Sequence, residues 1–205
     1  MRAVIGPRWR VAFWVALPAI LLWTTTGVVN LTTDIRNRHL IMDPAALVGF
    51  PFFYGIFTYL AVLLWGAAAT VCLFAYVLLR SSDRDRARYF LTAGLFTTIL
   101  CVDDLLMLHE DVLPFQLGID ELIVVTVYGG LAIAWIVRWY AVIVTEGPGL
   151  LVASGIFLGA SALLDVWDPS GVDIVIEDGF KLLGIGCWLG HFARAAARVL
   201  RPAAA

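Results

Sequence analysis

The sequence predicts an all-α, polytopic membrane protein of six transmembrane helices with both termini on the cytoplasmic side. Three observations carry that reading. The chain is 61% hydrophobic, with a mean hydropathy of +0.90, where soluble domains run nearer half apolar. Six apolar runs approach the length of about 20 residues that a bilayer core asks of a helix. Eleven of the thirteen arginines fall on one side of those runs, as expected for cytoplasmic loops.

The runs form a single domain over residues 1–205, with spans near 10–30, 51–79, 89–109, 121–138, 149–166 and 175–193. The N-terminal stretch has the basic flank and apolar run of a signal peptide. It lacks a small-x-small cleavage site and reads as a retained first helix. Residues 31–50 are too polar to cross, and "DPAALVGF" (43–50) predicts a short interfacial helix with Asp43 as N-cap and Pro44 at the first helical position. "SSDRDRAR" (81–88) reads as a charged turn before span three. Pro114 and Gly118 are expected to stop that span, and "EGPG" (146–149) and "DPSG" (168–171) to end the fourth and fifth.

Arg36 and Arg38 alone lie opposite the other arginines. Of the 16 acids only Asp83, Asp85 and Glu146 fall inside, so 13 gather on or near the outer face. The expected location is a bacterial-type cytoplasmic membrane, with membrane lipids as neighbours. A net charge of −2 gives no reason to expect a nucleic-acid partner. Cys72, Cys101 and Cys187 lie inside apolar runs with no metal or redox spacing and read as packing residues. A homo-oligomer is compatible with this size, and no face is singled out for it.

The informative stretch is "CVDDLLMLHED" (101–111), which sets Asp103, Asp104, His109, Glu110 and Asp111 at the outer end of span three. Counted from Arg88, Asp103 lies about 23 Å along the helix and His109 about 32 Å, against a hydrocarbon core of about 30 Å. Span six starts near Asp173, which puts Glu177 about 6 Å in and Lys181 about 12 Å in. Glu121 and Asp165 complete one acidic layer drawn from four helices.

A charge within the membrane costs on the order of 2.5–3.5 kcal/mol even on the lenient insertion scale. These groups must therefore face one another, water or a bound ion. Lys181, the only lysine in the chain, falls about 40° from Glu177 and about 60° from Asp178 on a helix, and so lies between them. The carboxylates outnumber that one cation, so either some are protonated or a cation is held among them. The expected metal ligands are Asp103, His109, Glu110 and Asp178, with Asp104, Glu177 and Lys181 as catalytic groups. Oxygen ligands beside one imidazole would suit zinc, manganese or iron. An unbroken helix would put Asp103 and Glu110 on one face and turn His109 about 100° away. All five groups of 101–111 therefore cannot converge without a break in the helix.

Glu177, Lys181, Gly184, Trp188 and His191 form one narrow stripe on span six. It reads either as a relay through Trp188 and His191 or as a packing seam, with His191 reaching the inner surface among Arg194 and Arg198. Packing is favoured by two small-xxx-small pairs, Gly186 with Gly190 and Gly155 with Gly159.

"VDDLLML" (102–108) resembles the Asp-acid-Leu-x-Met pattern of the alkaline ceramidase branch of the CREST superfamily, which also includes the adiponectin-receptor relatives. The resemblance implies an integral membrane hydrolase that uses zinc within a helical bundle to cleave lipid amides, with Asp103 at the metal site. It covers seven residues. The family's seven spans, its Ser-x-x-x-His upstream of the aspartate and its His-x-x-x-His on the last helix have no counterparts here. Thr92 to Phe96 contains no histidine, and Glu177 and Lys181 occupy the four-residue interval of the last helix.

Three functions are expected in order: a metal-assisted hydrolase of a lipid or lipid-linked substrate, a proton- or cation-conducting transporter or channel, and a membrane scaffold or assembly subunit. Clustered acids at one depth favour the first. Few polar residues in spans one and two are available to line a path for the second.

Overall fold

The computed structural model describes residues 8–167 and 174–200, and every regular element among them is helical. The chain divides into two compact units, Met1–Tyr54 and Gly55–Ala205.

In the first unit, α1 (Arg8–Thr32) is long and apolar enough to cross a bilayer over Ala12–Thr32. Three of its hydroxyls are satisfied within the helix. Thr24, Thr26 and Thr32 each donate to the carbonyl four residues back, at 2.8–2.9 Å, which suits a medium that offers no water to bond. Two short helices follow, α2 (Asn37–Ile41) and α3 (Pro44–Val48). Asp43 caps α3 as expected, accepting from the Ala45 and Ala46 amides at 2.8 and 3.3 Å. Gly49, at φ 73°, closes it.

The second unit holds α4 (Ile56–Leu79), α5 (Arg84–Leu106), a π-helix (Leu108–Gln116), α6 (Glu121–Glu146), α7 (Gly149–Trp167) and α8 (Ile174–Leu200). Helix α4 starts five residues later than the sequence reading. Pro51–Tyr54 form a turn, and Gly55 is left-handed at φ 73°. The charged run before span three is not a loop throughout: Asp83 accepts from the Arg86 amide at 3.0 Å, so Arg84–Arg88 build the first turn of α5. Helix α6 runs two turns past the expected end at residue 138, with Arg138 exposed and its guanidinium 4.4 Å from the Trp139 ring centroid. The "DPSG" turn (168–171) and the expected start of span six at Asp173 lie outside the described residues.

Among the described residues, four helices are long and apolar enough to span: Ala12–Thr32, Ile56–Leu79, Arg84–Leu106 and Glu121–Glu146. Helix α7 is apolar over Gly149–Asp165 but shorter. Helix α8 is not among the four; it carries Glu177, Asp178 and Lys181 near one end and Arg194 and Arg198 near the other. The coarse expectation of a helical membrane protein therefore holds.

Helices α4, α5 and α8 form the centre of this unit, with α7 packed on α8 and α6 beside α5 and the π-helix. Ala61, Trp65, Ala68, Cys72, Ala75 and Leu79 are the buried stripe of α4. Their small members let neighbouring helices approach. Trp135, Trp188, Tyr89, Phe90 and Phe192 fill the interior as an aromatic cluster. Of the glycine pairs proposed for packing, Gly190 is a contact point among the described residues: a Cβ there would come 3.4 Å from Leu150 Cδ1 of α7. A side chain built on Gly155, Gly159 or Gly186 would meet nothing within 4 Å among the described residues. A tighter approach falls at Gly184, where a Cβ would come 2.6 Å from Leu158 Cγ and 3.0 Å from its backbone nitrogen.

Candidate metal centre

The break that the sequence required occurs at Met107. Helix α5 ends at Leu106, and Met107 takes the left-handed conformation at φ 50°, the one non-glycine residue with positive φ among those described. The chain then rewinds with wider turns. The Met107 carbonyl accepts from both Asp111 (2.9 Å) and Val112 (3.2 Å), and Pro114 lies inside the widened helix without an amide to donate. Span three thus ends before residue 109, and Pro114 does not terminate it.

This rewinding returns His109 to Asp103. Its Nδ1 bonds Asp103 Oδ2, a contact that six residues of regular helix would rule out. The other Asp103 oxygen accepts from the Tyr128 hydroxyl of α6 at 2.9 Å. Asp104 turns toward α4 and α8, accepting from Trp65 Nε1 at 3.1 Å and pairing with Lys181 Nζ at 2.9 Å. Both carboxylates are buried, at 2% and 8% exposure. One ligand atom each from Asp103, Asp104 and His109 lie within 4.8 Å of one another.

His109 lies beyond the end of α5, where burial pulls its pKa down but the Asp103 and Glu110 carboxylates outweigh that and leave it raised. His109 and Asp103 share a hydrogen-bonding proton in this arrangement. A metal ion would take the proton's place between them.

The predicted residues therefore separate. Asp103, Asp104 and His109 converge. Glu110 is at the rim, exposed, with Oε1 3.4 Å from His109 Nε2. Asp111 is exposed. Glu177 and Asp178 are half-buried at the start of α8 and outside the three-residue cluster, and the ion partner of Lys181 is Asp104 of α5. Trp188 and His191 lie deeper and bond to different partners: Trp188 Nε1 donates to Thr97 Oγ1 at 2.9 Å, and His191 Nε2 meets the Tyr89 hydroxyl at 2.7 Å. His191 is fully buried, so it does not reach the inner surface with Arg194 and Arg198.

Trp65 and Tyr128 are the site residues that sequence reading missed. Each is an aromatic residue in an apolar run and gives the signal of a packing residue. Only pairing of α4 and α6 with α5 turns their polar tips to the carboxylates.

A third buried carboxylate, Glu146, lies at the far end of α6. It pairs with Arg86 at 3.3 Å and Arg198 at 3.8 Å. Arg194 and Arg198 also cap the last α6 carbonyls, at 2.8–3.1 Å.

No curated protein and no solved structure matches the chain. One family does, over residues 11–195. The chain belongs to the family defined by the domain of unknown function DUF8692.

Proposed function

We propose that the protein is a metal-dependent hydrolase of the membrane, acting on a lipid or lipid-linked substrate at the outer leaflet. In this reading α7 and α8 complete six spans, both termini are cytoplasmic, and the host is a bacterial-type inner membrane. The observation that carries the proposal is the convergence of Asp103, Asp104 and His109 across a strained break in α5.

Two oxygens and one nitrogen suit zinc, manganese or iron. Such an ion, when bound, would lower the pKa of a water into the neutral range. Glu110, at the rim and within reach of His109, is the carboxylate placed to accept a proton. Lys181 neutralises Asp104, and Tyr128 and Trp65 hold the two aspartates in orientation. Glu177 and Asp178 stand at the start of α8 as the outer acids of the site. The short CREST resemblance at Asp103 is in keeping with this chemistry.

Conduction is less well supported. Between Lys181 and His191 the interior is filled by Trp65, Trp135, Trp188 and Phe192, and an indole N–H donates but does not accept a proton. A pure scaffold would leave the strain at Met107 without a use.

The test is metal analysis of the detergent-purified protein. Near-stoichiometric metal in wild type, lost in Asp103→Asn and His109→Ala but kept in Glu177→Gln, is the expected result. Metal-free wild type would sink the hydrolase and redirect work to proton flux in liposomes.

A further inference from the structure

A cavity of about 290 Å³ opens between α4 and α5, lined by Thr58, Tyr59, Val62, Leu63, Asp104 and Leu105. Among the described residues Asp104 is its one charged wall, and it belongs to the three-residue cluster as well. Leu63 and Leu105 are 68% and 60% exposed. Both helices are of spanning length and apolarity, so the mouth faces hydrocarbon.

The two helices follow one another through the short turn at residues 80–83 and run antiparallel, which brings the first turns of α4 and the last turn of α5 to one end. Thr58 is the third residue of α4, and Asp104 is the third from the end of α5. Both lie within about 5 Å of their helix ends, the depth at which a lipid joins its polar head to its chains. Val62 and Leu63 lie about one turn deeper, where a chain would run.

We propose that this groove seats the head-to-chain linkage and first methylenes of a bilayer glycerophospholipid, entering sideways from the membrane. The assignment rests on the hydrolase reading and names its substrate class. A groove in a lipid-facing surface is filled by acyl chain, because water gains nothing from Val62, Leu63 and Leu105. At the polar end of the groove the Thr58 hydroxyl can donate to an ester or phosphate oxygen, and Lys181, paired with Asp104, offsets the charge of that carboxylate. A water-soluble substrate would instead need a polar mouth, and two exposed leucines form this one.

The test uses full-length protein in vesicles of phosphatidylethanolamine and phosphatidylglycerol, doped with a phosphatidylcholine that carries a diazirine near its acyl carbonyl. After irradiation, labelled residues are mapped by peptide mass spectrometry. Labelling at Val62, Leu63 and Leu105 is expected to exceed that at Phe74 and Val77, exposed farther along α4, by about tenfold, a preference of about 1.4 kcal/mol. Leu63→Trp, which fills the groove from an exposed position, should bring Leu105 labelling down to the Phe74 level, whereas Leu63→Ala should preserve it. Equal labelling along α4, or a pattern that Leu63→Trp leaves unchanged, overturns the proposal. Metal content of the same samples separates the two readings. Groove labelling without metal removes the hydrolase and keeps the groove, and metal with uniform labelling does the reverse.

Discussion

Two sets of buried carboxylates lie at opposite ends of the α4–α8 unit, and the chain treats them differently. Glu146 sits between Arg86 and Arg198, while Arg194 and Arg198 cap the carbonyls around it. Cations are in excess there, and the backbone turns at Gly147, φ 87°, where a glycine adopts positive φ freely. At the other end Asp103 and Asp104 share one lysine and one histidine, with Glu110 beside them. The backbone there turns at Met107, where positive φ strains the residue. Over-neutralised charge on an unstrained turn is what a structural clamp needs. Under-neutralised charge on a strained turn persists where a site requires it, because neither feature favours stability.

The comparison can be broken most sharply at Lys181. Lys181→Met should strand Asp104 as a buried charge and cost about 3–5 kcal/mol, read as a fall in denaturation midpoint in detergent. Adding Asp104→Asn should recover much of that loss. If the single variant is as stable as wild type, the acidic end is already neutralised by other means.

The backbone contrast is tested at Met107. A β-branched Val tolerates left-handed φ poorly, so Met107→Val should cost about 1–3 kcal/mol and weaken metal retention by moving His109 from Asp103. Met107→Gly should keep both stability and metal. Equal behaviour of Val and Gly would mean that the turn does not assemble the site.

The smallest effect is expected at the other end. Glu146→Gln removes a carboxylate whose arginine partners are 41% and 49% exposed and can rehydrate, so the cost should stay near about 1 kcal/mol or less. Metal content should match wild type. A loss of metal in this variant would couple the two ends and end the distinction between clamp and site.

Much of the fold was legible because bilayer solvation acts on composition and length alone. Twenty apolar residues make a helix in hydrocarbon whatever their neighbours, and Asp43 with Pro44 caps α3 through purely local bonds. The boundaries slipped where local chemistry was ambiguous: Asp83 as a cap made the charged run helical, and Arg138 was carried within α6 by its exposed face. The glycine pairs told only part of the packing because small residues permit close approach without dictating which face is approached: Gly190 meets Leu150, but the tighter contact fell to Gly184 against Leu158.

By itself, the sequence determined that five ionisable groups crowd into 101–111 and that this stretch could not converge as a continuous helix. Which groups do meet was decided only by tertiary structure. Asp103 finds His109 because Met107 reverses its φ and the next turns widen, Asp104 finds Lys181 and Trp65 because α4 and α8 flank α5, and Tyr128 arrives from α6. The physical reason is range. Hydropathy and capping act within a few residues, whereas a desolvated carboxylate takes its partners from whichever helices pack beside it.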